Sequence, residues 1–217
     1  MIAIGGAFAL SLVGGLAGPA LAAPPTASNW HVGVYTPSGR ALSEGQAATV
    51  ADGLASFQFT TAPNTALLIN TQGSQKGSLL GDLTGETVTA TFSISGTSQF
   101  SYYGEGTSAN SCNSPASARL FFETSNAGGF APTHYWWSNG VGFAQLANGT
   151  FTLSATISPT QWSDFYGTFG SAALDGFAAA ASNVTGIGLS FGGGCFFENG
   201  VGAPDASLTL TSFTVGG

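Results

Sequence analysis

Charge is what this sequence most lacks. Asp, Glu, Lys and Arg make up 6% of its 217 residues, against about 25% in an average soluble protein. Three basic residues face ten acidic ones, for a net charge of −7, so no phosphate-tracking surface can form and nucleic acid is excluded as a partner. Histidine is as scarce. His31 and His134 stand far apart, which rules out a three-histidine zinc centre, and no acidic run has the spacing of an EF-hand loop. A calcium ion assembled from scattered acids and carbonyls stays open on the residues alone. No apolar run after residue 22 is long enough to cross a membrane.

What is present is glycine and aromatic carbon. Glycine supplies 33 residues, roughly double the usual share of about 7%. A hydrophobic content of 43%, with 17 phenylalanines, five tyrosines and four tryptophans, is enough to build a core and excludes a disordered chain. The apolar run Ile2 to Leu16, the Gly18-Pro19 break and the small-x-small site Ala20-Leu21-Ala22 read as an export signal over residues 1–22, cut after Ala22. No Lys or Arg precedes the run, which suggests a start upstream of Met1. The expectation is a secreted, extracellular single domain over 23–217, with no membrane attachment after signal removal. In an oxidising compartment Cys112 and Cys195, both in loop-like sequence, are expected to form a disulfide. It would close a loop of about 80 residues, worth about 4–5 kcal/mol in the chain-entropy account.

Period-2 alternation dominates the rest. In Thr87–Ser95 the odd positions are all Thr or Ser, and the even ones are Val88, Ala90, Phe92 and Ile94. Phe151, Leu153, Ala155 and Ile157 alternate with Thr150, Thr152, Ser154 and Thr156 in the same way. Further strands are expected at 55–60, 66–70, 99–103, 117–124, 133–138, 184–191 and 207–215. The last slips phase between Leu210 and Phe213, a bulge signature near Thr211-Ser212. One helix is expected over 171–182, with Leu174, Phe177 and Ala181 on one face, and a turn over 159–165. The class that follows is all-β, an antiparallel two-sheet β-sandwich of jelly-roll type with one short helix.

Catalytic patterns are weak. Gly188-Leu189-Ser190-Phe191-Gly192 matches G-x-S-x-G, but a nucleophile elbow needs a helix after the serine and a histidine later in the chain, and both histidines lie upstream. Glu105, Glu123, Asp164 and Glu198 are candidate carboxylates for glycoside hydrolysis, yet no two alternate on one strand. The segment 117–139 says more. In Ser117–Glu123 the core phase is Ala118, Leu120 and Phe122, leaving Arg119, Phe121 and Glu123 on the other face. The alternation of Thr133–Asn139 puts His134, Trp136 and Ser138 on one side and Tyr135 and Trp137 on the other. If the two strands are neighbours, Arg119, Glu123, His134 and Trp136 can share an exposed face. Such a set suits sugar recognition, with a ring against the C–H face of a pyranose and fixed polar groups on its hydroxyls. An ordinary Arg119–Glu123 pair along the strand and a Trp pair in the core fit the same residues.

Asp82-Leu83-Thr84-Gly85-Glu86-Thr87-Val88 resembles the lead-in to a core strand in carbohydrate-binding modules of the galactose-binding-like jelly-roll fold. Asn183–Phe191 is similar to their penultimate strand, Asn148–Leu153 with Trp162 to the segment before it, and Ser207–Val215 stands where their closing strand would. Together these span about residues 80–217 in order. The Tyr135–Asn139 and Phe191–Phe197 motifs look like those of secreted bacterial proteins of unassigned role. Where that family's closing strand carries a calcium-feeding Asp, this chain has Ser212, so a structural calcium is unsupported and no other cofactor is implied. The expected function is non-catalytic binding of a polysaccharide or glycan through Arg119, Glu123, His134 and Trp136, with Tyr103 as a further stacking ring. Two alternatives stand beside it: a structural or surface-associated exoprotein without a small ligand, and a polysaccharide-active hydrolase.

Overall fold

The computed structural model describes residues 27–35, 42–48, 54–71, 79–96, 99–105, 115–125, 127–140, 142–194 and 200–216. Cys112, Cys195 and Glu198 lie outside them. The described chain forms the expected all-β antiparallel sandwich, with fourteen strands and one α-helix. In chain order the strands are β1 (Ala27–Tyr35), β2 (Leu42–Ala48), β3 (Ala55–Gln58), β4 (Thr65–Asn70), β5 (Thr87–Ser95), β6 (Ser101–Tyr102) and β7 (Ser117–Thr124). They continue with β8 (Tyr135–Ser138), β9 (Phe143–Gln145), β10 (Gly149–Thr156), β11 (Trp162–Asp164), β12 (Val184–Gly192), β13 (Val201–Gly202) and β14 (Ser207–Val215). Helix α1 is Leu174–Ala181.

The ladder runs β10-β5-β14-β3-β2-β1-β4-β12-β7-β8-β11, with β6 and β13 on a side branch from β4. It reads as two wings joined along one edge, because β2 meets β3 only at Ala48↔Ser56. The first wing is β10-β5-β14-β3 and the second runs along the ladder from β2 through β1 to β11. The core lies between them. Val88, Ala90, Phe92 and Ile94 of β5 point inward with Leu208, Leu210 and Phe213 of β14, against Leu68, Leu120, Phe122, Leu189 and Phe191 of the second wing. The expected bulge is present: Leu210 pairs with Phe92 but Ser212 pairs with Thr91, so Thr211 is the extra residue. That one insertion moves the inward phase from Leu210 to Phe213, whose ring packs on Trp30 at 5.0 Å. The lead-in to β5 is a turn closed by the Asp82 carboxylate, which accepts the Thr84 N–H at 3.0 Å. That bond holds its pKa below the ordinary value.

Three expectations are corrected. Strands β1 and β2 precede Ala55, where none was expected. Residues 162–164 form β11 rather than part of a turn, because they pair with Trp136–Ser138 of β8. The helix starts three residues late, since a 3-10 turn takes up Gly170–Ala172. Its buried face is therefore Phe177, Ala180 and Ala181, and Leu174 is exposed.

Candidate functional site

β7 is flanked by β12 on one side and by β8, then β9, on the other. β8 and β9 behave as one strand interrupted between Ser138 and Phe143. At the interruption the Ser138 hydroxyl accepts the Leu120 N–H at 3.0 Å and donates to the Gly142 carbonyl at 2.7 Å, so a side chain reinforces the long backbone rung from that N–H to the Gly142 carbonyl at 3.3 Å. Ser138 is buried, so its hydroxyl and the groups it joins meet their hydrogen-bonding needs within the protein.

The register decides which side chains meet. Phe121 faces Trp137, Phe122 faces Trp136 and Glu123 faces Tyr135. Directly opposed residues share a face. Trp136 therefore belongs with Phe122, on the core side, and the expected co-location of Trp136 with Arg119 and Glu123 is overturned. Its ring is wholly buried, stacked on Phe122 at 6.4 Å and edge-on to Phe177 of α1 at 5.0 Å. Its indole N–H donates to the Thr133 carbonyl at 2.8 Å. His134 is half-buried and ends the 3-10 turn Pro132–His134 ahead of β8. Tyr103 is exposed, but it follows β6 on the side branch, which pairs with β13 and with neither β7 nor β8.

Arg119 and Glu123 do share the outer face with Phe121, as expected. Arg119 is 2% exposed. Its Nε donates to the Ser138 carbonyl at 2.7 Å and its Nη2 to the Asn139 side chain, so the guanidinium clasps the strand interruption rather than reaching outward. Glu123 lies beside Gly186 of β12: a methyl there would stand 2.9 Å from both its Cγ and Oε1. Gly188, two residues on, meets β4 so closely that an added methyl would collide with the Leu68 carbonyl.

Around these residues lies an aromatic array that the sequence reading did not single out. Trp137 packs on Phe121 at 5.1 Å, and its indole N–H reaches past β7 to the Ser190 hydroxyl of β12 at 2.9 Å. With Ala66, Leu67 and Ile69 these rings form a second, smaller core on the outer face. Tyr135 and Phe165 pack against it, half-buried. Beyond them Phe130 and Tyr166 are 58% and 65% exposed. Phe130 stacks on Tyr135 at 5.9 Å and 25°, and meets Phe165 at 5.2 Å; Tyr166 meets Phe165 at 5.4 Å. The array thus grades from locked, buried rings to open ones. The signal available was the partner phase: with Phe121 outward, Tyr135 and Trp137 must be outward too if Phe121 faces Trp137.

Asp164 organises the loop that carries Tyr166. Its Oδ1 accepts the N–H groups of Tyr166 and Thr168, each at 2.9 Å, and Gly167 donates to its backbone carbonyl. Asp164 faces Trp136 across β11 and β8, whereas Glu123 faces Tyr135, so the two carboxylates fall on opposite faces of the sheet. They cannot flank one glycosidic bond. Glu105 is exposed beyond the end of β6. Among the described residues no group of three or more His, Cys, Asp or Glu could hold a metal ion. A shallow hollow of about 390 Å³ opens at the start of α1, lined by Ser171, Leu174 and Asp175, and holds none of the expected site residues. No family model, curated protein or solved structure matches the chain.

Proposed function

We propose that this is a secreted, non-catalytic carbohydrate-binding protein whose glycan lies on the outer face of the second wing. The rings that take it are Phe130, Tyr135 and Tyr166, with the Glu123 carboxylate as a hydrogen-bond acceptor beside Tyr135. The observation that carries this reading is the pair of open rings, Phe130 and Tyr166, built onto a buried aromatic base. Open rings clustered on a packed base form a contact surface of the kind ligands use, and a fixed ring offers a sugar a flat apolar surface with little ordering left to lose. Arg119 holds the scaffold beneath, and Trp136 belongs to the core. The protein is exported and carries a Cys112–Cys195 disulfide. Support for the bridge is the pairing of Ser117 with Gly192, which brings the strand ends nearest the two cysteines side by side. Non-reducing peptide mapping tests it: a Cys112–Cys195 cross-linked peptide is expected, and two free thiols in protein from an oxidising compartment would refute it.

Retention of the purified protein on insoluble and soluble polysaccharides tests the function. Binding to one glycan class that Tyr166→Ala and Phe130→Ala both weaken by about tenfold or more is the expected result. No retention on any glycan by folded protein would remove this reading. It would leave the second one, a structural exoprotein, favoured by the uncharged hydroxyl face of the first wing: Thr150, Ser93, Thr209 and Ser56 align in one row, and Thr152, Thr91 and Ser212 in the next.

A further inference from the structure

Resting on the glycan-binding reading, we infer that the aromatic face takes an extended, uncharged oligosaccharide spanning more than one sugar unit, and discriminates against acidic polysaccharides. Two independent features carry this. The first is the number and placement of open rings. Phe130 and Tyr166 both stand nearly perpendicular to Phe165, at 84° and 82°, and both are more than half exposed. Each can stack one pyranose. Two such rings on a common third ring define a track rather than a point. Phe130 is held by its stack on Tyr135, and the backbone at Tyr166 by the Asp164 carboxylate. The track is therefore set before the ligand arrives, and a chain that meets both rings gains a second contact with little further ordering cost.

The second feature is charge. Reading a uronate carboxylate needs a cation that can reach it, most often an arginine fork. Arg119 is the one Lys or Arg in the described residues. It is buried, with Nε and Nη2 committed to Ser138 and Asn139. What this face offers a ligand is the Glu123 carboxylate, beside Tyr135 in register and against Gly186. The whole chain carries −7. A polyanion is repelled here both locally and at long range. An uncharged sugar loses nothing, because its hydroxyls donate to a carboxylate.

The test is calorimetry of the purified full chain against neutral cello-, xylo-, manno- and chito-oligosaccharides from monomer to hexamer, beside polygalacturonate, alginate and chitosan. One neutral series is expected to bind with affinity rising at least tenfold from monomer to trimer and then levelling. Salt should change it little, and Tyr166→Ala or Phe130→Ala should abolish the gain with length. Both residues are exposed, so the far-ultraviolet circular dichroism and thermal midpoint of the variants should match the parent and exclude unfolding. A charged polymer of either sign preferred to every neutral one would overturn the inference while leaving glycan binding intact. So would a monosaccharide bound as tightly as its trimer. No binding to any probe by folded protein would instead remove the underlying reading.

Discussion

The two outer faces of this sandwich cover the same core and are built in opposite ways. On the first wing every outward position of β5 from Thr87 to Ser95 is Thr or Ser, and β10 and β14 answer it in register. The hydroxyls pair across the strands: Thr87 with Thr156 at 3.2 Å, Thr89 with Ser154 at 2.9 Å, Thr91 with Thr152 at 3.1 Å. On the second wing the outward positions include Leu67, Ile69, Phe121, Tyr135 and Trp137 beside Arg119 and Glu123, and most of the apolar ones are buried. One face achieves solubility without charge, through β-branched residues that favour strands and carry a hydroxyl. The other spends its outward positions on a second apolar layer and leaves Phe130 and Tyr166 open at its margin. The difference teaches where recognition can reside. A face whose hydroxyls bond one another is occupied with its own sheet, whereas rings at the edge of a packed array are rigid and unspent.

The contrast breaks most visibly in the two aromatic layers of the second wing. Trp136→Ala removes a wholly buried ring from between Phe122 and Phe177, and is expected to lower unfolding free energy by about 3–5 kcal/mol. Tyr166→Ala, at an exposed loop position, is expected to change it by less than about 0.5 kcal/mol while removing glycan retention. Denaturant titration of both variants, read beside retention, separates the layers. A silent Trp136→Ala would mean that the β7–β8 register is wrong and that Trp136 faces out after all.

That register is also where the sequence stopped being legible. On β5 and β10 the phase cannot be mistaken, because one set of alternate residues is apolar and the other is hydroxylic, and the bulge in β14 announces itself by a phase slip. Around residues 117–139 both phases are apolar or aromatic. Phe121 and Phe122 are both buried, and so are Trp136 and Trp137. Alternation then says that two faces exist without saying which is the core, and a shift of one residue exchanges every side chain. The face of β7 was readable, since Arg119 and Glu123 flag it. The face of β8 was set by Phe121↔Trp137, a long-range pairing with no local mark. β11 was hidden for a similar reason: Trp162-Ser163-Asp164 is too short to alternate, and it is a strand only because β8 offers it an edge. Leu174 misled because the 3-10 turn at Gly170–Ala172 delays the helix and turns that residue outward.

The smallest expected effect tests the quiet side of the comparison. Thr89 and Ser154 form one cross-strand hydroxyl pair on the first wing. Thr89→Val keeps the shape of the side chain and Ser154→Ala nearly so, which makes a double-mutant cycle clean. Cross-strand pairs of this kind contribute about 0.2–1 kcal/mol, so each single variant should lose no more than that, and the double variant should lose less than the sum of the two. Glycan retention should not change in any of the three, because none touches the aromatic face. If retention falls with the hydroxyl pair and stays intact in Tyr166→Ala, the roles of the two faces are exchanged: the regular hydroxyl rows become the contact surface, and the open rings become an incidental margin of a second core.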